Sequence, residues 1–296
     1  MKRSIVGALG GVALLLAGCG SDPLEDDSQD NGDGIIVGSA NFPESRLLAH
    51  VYAEALRSAG AEDVTVPDSV GVRKVVLEGM RDGSLNLVPE YTGNLLRYFD
   101  KDMDVSEPDE VYEQLEHELP DEFEVLDYAA AQNTDQLVVR QELASQGIST
   151  ISDLAPRCDE LVFGGPGEWA QRWEDEIDSR YDCEFDEIKN TESEGPLTAD
   201  ALESGDIDVA DLFSTDPDVA ANDFAALRDD KHMFPAQNVV PLANDGVLSD
   251  EQRQVLNDVS EALTTEKLTQ LNLELSEEKR NPTDIAADFL AANDLD

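Results

Sequence analysis

The sequence predicts an α/β chain of two similar lobes, each a doubly wound sheet flanked by helices. Three observations carry this. From Ile35 to Val88 short apolar strands alternate with amphipathic helices in the order β-α-β-α-β, the mark of a sheet covered on both faces. A second series of the same kind runs from Leu161 to Asp211. The two series also contain matching segments. When Gly83 is set on Gly205, Leu85 falls on Ile207, Leu87 on Val209, Tyr91 on Phe213 and Thr92 on Ser214.

Taken in order, Ile35–Ser39 is a buried strand and Ala40-Asn41-Phe42 a loop. Pro43 suits a first helical turn. Leu47, Leu48, Val51, Ala55, Leu56 and Ala59 keep one helical face up to Gly60. Val64–Val66 is the second strand and Val70–Arg81 the second helix. Leu85–Val88 is a strand that Pro89 is expected to stop, leaving Glu90-Tyr91-Thr92-Gly93 as an elbow. Ligands of open α/β sheets bind beyond the carboxyl ends of strands, so the elbow is a candidate site. Tyr91–Phe99 and Pro108–Leu119 read as helices, Glu124–Leu126 and Leu137–Val139 as strands. The second series follows: Leu161–Phe163, Pro166–Tyr181, Phe185–Ile188, Pro196–Glu203 and Ile207–Asp211, with Phe224–Leu227 as a last strand. Phe234–Leu242 reads as a return crossing. The tail holds three helices, Ser249–Leu263, Thr265–Leu275 and Pro282–Ala292, the last capped by Asn281, and these are expected to pack on the first lobe. Two crossings and an inserted lobe imply residues 35–134 plus 238–296 as lobe 1, residues 135–237 as lobe 2, and a cleft that closes on a ligand.

The amino terminus reads as a targeting segment. Met1-Lys2-Arg3 is positive and Ile5–Leu16 apolar, too short to span a bilayer as a mature helix but the length of a signal core. Residues 1–18 are therefore expected to be a signal peptide. Residues 19–34 comprise Cys19 and a stretch of Gly, Ser, Asp, Glu, Asn and Gln with one Pro and one Leu, expected to be a flexible acidic tether. The fifteen residues from Gly20 to Gly34 reach at most ~50 Å.

The chain has 296 residues, enough for two lobes, and 41 % of them are hydrophobic. Its 66 acidic against 20 basic residues give a net charge of −46. That charge excludes nucleic acid as a general partner and disfavours an anionic lipid surface. The acidity is spread along the chain and suits high salt, where screening weakens self-repulsion.

Cys158 and Cys183 remain once Cys19 is set aside. They flank one strand-helix unit of an exported chain, so a disulfide between them is expected. No other Cys or nearby His completes a metal set, and no metal or cofactor is expected. The histidines, His50, His117 and His232, neighbour no nucleophile motif, and neither Gly-x-Ser-x-Gly nor His-Glu-x-x-His occurs. The chain is not expected to be an enzyme, and no catalytic residue is assigned. Trp169 and Trp173 share one helical face and read as core or surface packing, with a place for Trp169 near the cleft as the alternative. The loop Gly164-Gly165-Pro166-Gly167-Glu168 leads into a helix start whose amides suit an anionic group.

Leu16-Ala17-Gly18-Cys19 resembles the lipobox of exported lipoproteins, in which Cys19 would be lipidated. Val37-Gly38-Ser39-Ala40-Asn41-Phe42-Pro43-Glu44, Pro89-Glu90-Tyr91-Thr92-Gly93 and Gly205-Asp206-Ile207-Asp208, in that order, are similar to the osmoprotectant substrate-binding proteins of ABC importers. These are the glycine betaine, choline and carnitine (OpuAC-like) type. The resemblance runs from about Ile35 to the carboxyl end. It implies a type II periplasmic-binding-protein fold and delivery of a compatible solute to a permease with its ATPase. The protein would be an exported monomer, held to the outer face of the cytoplasmic membrane by its lipid alone.

A quaternary ammonium cannot donate hydrogen bonds and is held by aromatic faces, at about 0.5–2 kcal/mol per contact. The resemblance places Tyr91 and Phe213 in that role. Thr92 and Asn94 would bond a ligand carboxylate or hydroxyl, with Ser214 as the counterpart of Thr92, or Thr92 and Ser214 would satisfy their own turns. Asn41 and Phe42 would face the cleft mouth. Arg73 would anchor a carboxylate or serve as an ion-pair partner, and Glu90 would join the site or a helix terminus. Two positions depart from the family's aromatic pattern: Asp135 follows the Asn-Thr of the crossing, and Gln237 stands in the return crossing. Both would line the hinge; Asp135 would meet a quaternary cation by charge, or the ligand would be a more polar zwitterion, amino-acid derivative or amine. A ligand-sensing lipoprotein of the same fold is the alternative to delivery.

Overall fold

The structure is a computed structural model, and it describes residues 34–68, 70–191 and 196–296. The signal segment, Cys19 and the tether up to Asp33 lie outside the described residues. Strands are β1 (Ile35–Ile36), β2 (Val64–Thr65), β3 (Leu87–Tyr91), β4 (Phe123–Val125), β5 (Asp135–Val139), β6 (Val162–Gly165), β7 (Glu187–Asn190), β8 (Val209–Phe213), β9 (Ala225–Ala226) and β10 (Val239–Asn244). Helices are α1 (Pro43–Ser58), α2 (Arg73–Arg81), α3 (Thr92–Phe99), α4 (Pro108–Glu118), α5 (Gln141–Ala144), α6 (Ile151–Leu154), α7 (Gly167–Tyr181), α8 (Pro196–Ser204), α9 (Pro217–Ala221), α10 (Asp250–Ala262), α11 (Thr265–Ser276) and α12 (Pro282–Ala292), with a 3-10 turn at Ala155–Glu160.

The two lobes repeat one strand plan. In the first, β1 and β2 are parallel, Val37 bridges Leu87 in parallel, and β10 lies antiparallel between β3 and β4. The second orders its strands β7-β6-β8-β5-β9, with β7, β6 and β8 parallel and β5 antiparallel to β8. β3 and β8 are equivalent, as are the crossing strands β10 and β5 beside them. The turns before β3 and β8 need the same backbone: Gly83 has φ +79° and Gly205 φ +81°, a conformation glycine adopts without a Cβ penalty.

One expectation is corrected. β3 does not stop at Pro89 but runs through it to Tyr91. Pro89 stands opposite Pro241 of β10. Thr92 N donates to Asn238 O, so bonded pairs alternate from that position and the two prolines meet at a non-bonded pair. Neither is asked for an N–H toward the other. Glu90 and Tyr91 are thereby end-of-strand residues, not turn residues.

α1 is organised by its apolar face. Leu47, Leu48, Val51 and Leu56 are fully buried against Leu256 and Val259 of α10, Leu268 of α11 and Phe289 of α12. Each such side chain is worth about 1.5–3 kcal/mol of burial. The three tail helices therefore fasten onto the first lobe. The second lobe has its own core, in which Trp169 packs 4.1 Å from Phe163 and Cys158 is bonded to Cys183. Among the described residues no helix is long and apolar enough to cross a membrane, and no cluster of three metal-ligating side chains is present.

Two chain crossings join the lobes side by side. Gln132 bridges Asn238, Asn133 N donates to Gln237 O at 3.0 Å, and Val239 N donates to Ala131 O at 2.9 Å.

Candidate functional site

A cleft of 580 Å³ opens where the carboxyl ends of the parallel strands meet the crossings. The loop after β1 supplies Ala40, Asn41 and Phe42, and the start of α2 supplies Val72, Arg73 and Val76. The end of β3 supplies Pro89, Glu90 and Tyr91, and α3 supplies Asn94. The crossing brings Asn133 and Asp135. The second lobe adds Pro166, Arg172 and Phe213. Of the residues proposed from sequence, Asn41, Phe42, Arg73, Glu90, Tyr91, Asn94, Asp135 and Phe213 come together here.

The chemistry is aromatic and doubly charged. Phe42 and Tyr91 lie 6.0 Å apart at 34°, and Phe213 faces them from the other lobe's strand end. Arg73 grips Glu90 bidentately, Nε to Oε1 and Nη2 to Oε2, both at 2.8 Å. Burial works against the guanidinium charge, yet the Glu90 carboxylate outweighs it and holds the Arg73 pKa above its ordinary value. On the second lobe Arg172 Nη2 reaches Asp135 Oδ2 at 3.5 Å. The cleft thus offers both signs of charge beside ring faces.

Three residues do not line this cleft. Thr92 is fully buried; its hydroxyl donates to Ala236 O and accepts from Asn238 N. The Ser214 hydroxyl donates to Gln132 O at 2.7 Å and accepts from Thr134 N at 3.0 Å. Gln237 is buried, and its Oε1 accepts from Asn94 N at 2.9 Å. All three hold the crossings: Thr92 and Ser214 stand one position past a strand end and turn back toward the neighbouring backbone, and Gln237, two positions before β10, turns to the first turn of α3.

Trp169 and Trp173 are both core residues of the second lobe, and Trp173 lies under two guanidinium groups. The Arg172 guanidinium lies 5.1 Å and that of Arg97, from α3 of the first lobe, 4.9 Å from its ring centroid. Burial and the neighbouring Arg172 push the Arg97 pKa down. Pro166, which caps α7, lines the cleft, so the Gly164–Glu168 loop does deliver a helix start to the site.

Sequence reasoning missed Arg172 and Asn133. Asn133 adjoins the crossing motif Asn-Thr-Asp and could have been found there. Arg172 had no local signal beyond its place on the helix after β6. Glu44, the last residue of the Val37–Glu44 motif, is buried beneath Tyr91 and takes the tyrosine hydroxyl on Oε1 at 2.5 Å.

Residues 33–292 match the family model described as the substrate binding domain of ABC-type glycine betaine transport system. The chain is 26 % identical over 290 residues to the carnitine transport binding protein OpuCC of Listeria monocytogenes serotype 1/2a (strain 10403S), covering 95 % of this chain and 92 % of that protein. It is 25 % identical over 272 residues to the glycine betaine-binding protein YehZ of Escherichia coli (strain K12), covering 86 % and 88 %. A solved structure described as a glycine betaine/carnitine/choline ABC transporter superposes with a TM-score of 0.80 at 22 % identity, covering 88 % of this chain and 99 % of that one.

Proposed function

The chain belongs to the family of substrate-binding domains of ABC-type glycine betaine transport systems, and from that premise we propose that its cleft holds a zwitterion bearing a quaternary ammonium, such as glycine betaine or carnitine. Members of this family capture a solute and deliver it to an importer, and they are not enzymes. The observation that carries the ligand class is the meeting of Phe42, Tyr91 and Phe213 with Arg172 and Asp135 in one cleft. Ring faces and the Asp135 carboxylate suit the cation, whereas Glu90 has both oxygens taken by Arg73. Arg172 and the start of α7 suit a ligand carboxylate. Charge at Asp135, where an aromatic cage would place a ring, favours a more polar zwitterion or amine as the second reading.

The assignment of residues 35–134 plus 238–296 to one lobe and 135–237 to the other is supported by the separation of the two sheets. We further infer an exported protein, anchored through lipid on Cys19 to the outer face of the cytoplasmic membrane, acting as a monomer with a permease and its ATPase. Adaptation to high salt is inferred from the net charge of −46; unfolding midpoints that fail to rise from low to molar salt would count against it.

The test is a titration of the chain from Gly34 onward with glycine betaine, carnitine, choline, proline and ectoine. Trp173, beside Arg172, serves as the fluorescent reporter. Saturable binding of the two quaternary zwitterions, with choline weaker for lack of a carboxylate, is expected. Saturation by proline alone would favour the second reading, and no response to any of the five overturns both.

A further inference from the structure

Glu44 sits in the first turn of α1 and is 5 % exposed. Its Oε1 accepts from the Tyr91 hydroxyl at 2.5 Å and from Asn133 Nδ2 at 2.8 Å. Its Oε2 accepts from Asn272 Nδ2 at 2.6 Å. Among the described residues it has no Lys, Arg or His within ion-pair distance. Three neutral donors meeting two oxygens is a task for a carboxylate. A glutamine would set its own N–H₂ against one of the donors.

Two of the three donors belong to the cleft. The Tyr91 ring lines it. Asn133 lines it from the first crossing between the lobes. Asn272, on α11, does not line it, but its Nδ2 also donates to Thr215 O of the second lobe at 3.2 Å. Thr215 lies two residues past Phe213, the second lobe's ring in the cleft. A continuous path therefore runs from the Tyr91 hydroxyl through Glu44 and Asn272 to the second lobe. Because Glu44 also occupies that hydroxyl, Tyr91 meets the cleft with its ring.

We propose that Glu44 is a positioning residue that couples the Tyr91 ring to docking of the second lobe through Asn272. This rests on the solute-binding reading of the cleft. The Asn272–Thr215 bond ties α11 of the first lobe to the second lobe. The Glu44–Tyr91 bond orients the ring that the ligand cation contacts. A ligand that orders the ring thereby stabilises the network that holds the lobe, and by linkage the docked lobe stabilises the bound ligand.

The experiment compares wild type with Glu44→Gln, Asn272→Ala and the double variant. Interlobe distance is read from paired spin labels at the exposed positions Leu197 and Val247, and glycine betaine dissociation from stopped-flow fluorescence. Both single variants are expected to lengthen and broaden the ligand-free distance distribution. They should speed dissociation about tenfold while association changes little. The double variant should be no faster than Glu44→Gln alone, the non-additivity of a shared path. A wild-type distance distribution in Asn272→Ala, or fully additive effects, overturns the proposal. Should Glu44→Gln fail to fold, Asn272→Ala with Tyr91→Phe completes the same cycle. Should wild type bind no quaternary probe, the ligand reading fails while the distance measurements still decide the coupling.

Discussion

Thr92 and Ser214 hold the two interlobe crossings in the same way. Each follows the aromatic that ends its strand, Tyr91 or Phe213. Thr92 N donates to Asn238 O and Ser214 N to Thr134 O. Each hydroxyl then brackets its crossing, Thr92 between Ala236 O and Asn238 N, Ser214 between Gln132 O and Thr134 N. The ring that lines the cleft and the hydroxyl that clasps the hinge are thus adjacent in sequence in both lobes.

Thr92→Val keeps the shape of the side chain but removes its hydroxyl, stranding the buried Asn238 N–H. A loss of about 1–3 kcal/mol is expected, read from denaturant midpoints at unchanged slope. Thr92→Ser should restore most of it. A Val variant as stable as wild type would show that the hydroxyl is not holding the crossing.

Phe213→Leu keeps apolar bulk while removing the ring quadrupole. Affinity for a quaternary ammonium should fall by about 1 kcal/mol, roughly fivefold. Titration calorimetry with glycine betaine decides this, and an unchanged dissociation constant would take Phe213 out of the cation's contacts.

Asp216 caps α9 through a bond from Asp218 N at 2.9 Å. Burial raises its pKa from 3.8 to about 6, the main cause, with the Asp218 charge adding to it. The native state then keeps a proton that the unfolded chain has lost between about pH 4 and pH 6. Stability contributed by this group is highest below that window, falls as pH rises through it, and the penalty is complete at pH 7. Asp216→Asn retains a capping oxygen and is expected to stabilise the fold at pH 7.5 by on the order of 2 kcal/mol, with little effect at pH 4. Thermal melts at the two pH values check the sign. Equal shifts at both would exclude a titration origin.

The Cys158–Cys183 bond spans 25 residues and closes the unit of β6 and α7. Replacing both with Ser should cost about 3 kcal/mol, chiefly by freeing the unfolded chain. Because α7 carries Arg172 and Trp173, the ligand-induced fluorescence change should weaken along with stability. A variant with wild-type stability would show that the second lobe's core suffices without the bond.

Local sequence carried the scaffold. Apolar period, Pro43 and Pro282 at helix starts, and the paired Gly83 and Gly205 state where helices, strands and turns fall, because these depend on neighbours within a few residues. Pro89 departs from its local expectation for the same reason. A proline breaks a strand unless the facing residue asks nothing of its missing N–H, and that residue, Pro241, is far along the chain. The aromatics Tyr91 and Phe213 were legible because strand ends in a repeated unit point to one place. Thr92 and Ser214 were not, since one residue's further travel turns a side chain from the mouth to the hinge, and Gln237 was not, since its partner Asn94 N lies 143 positions away.

The sequence by itself determined the two-lobed α/β plan, the family and the strand ends that face the cleft, since periodicity and motif order are local properties. Tertiary structure alone decided which side chains share the cleft. Arg73 is spent largely on Glu90, Arg172 arrives from the other lobe beside Asp135, and Glu44 gathers Tyr91, Asn133 and Asn272 onto one carboxylate. Those partners lie tens to hundreds of positions apart, and only the packing of one lobe against the other brings their charges and donors within bonding distance.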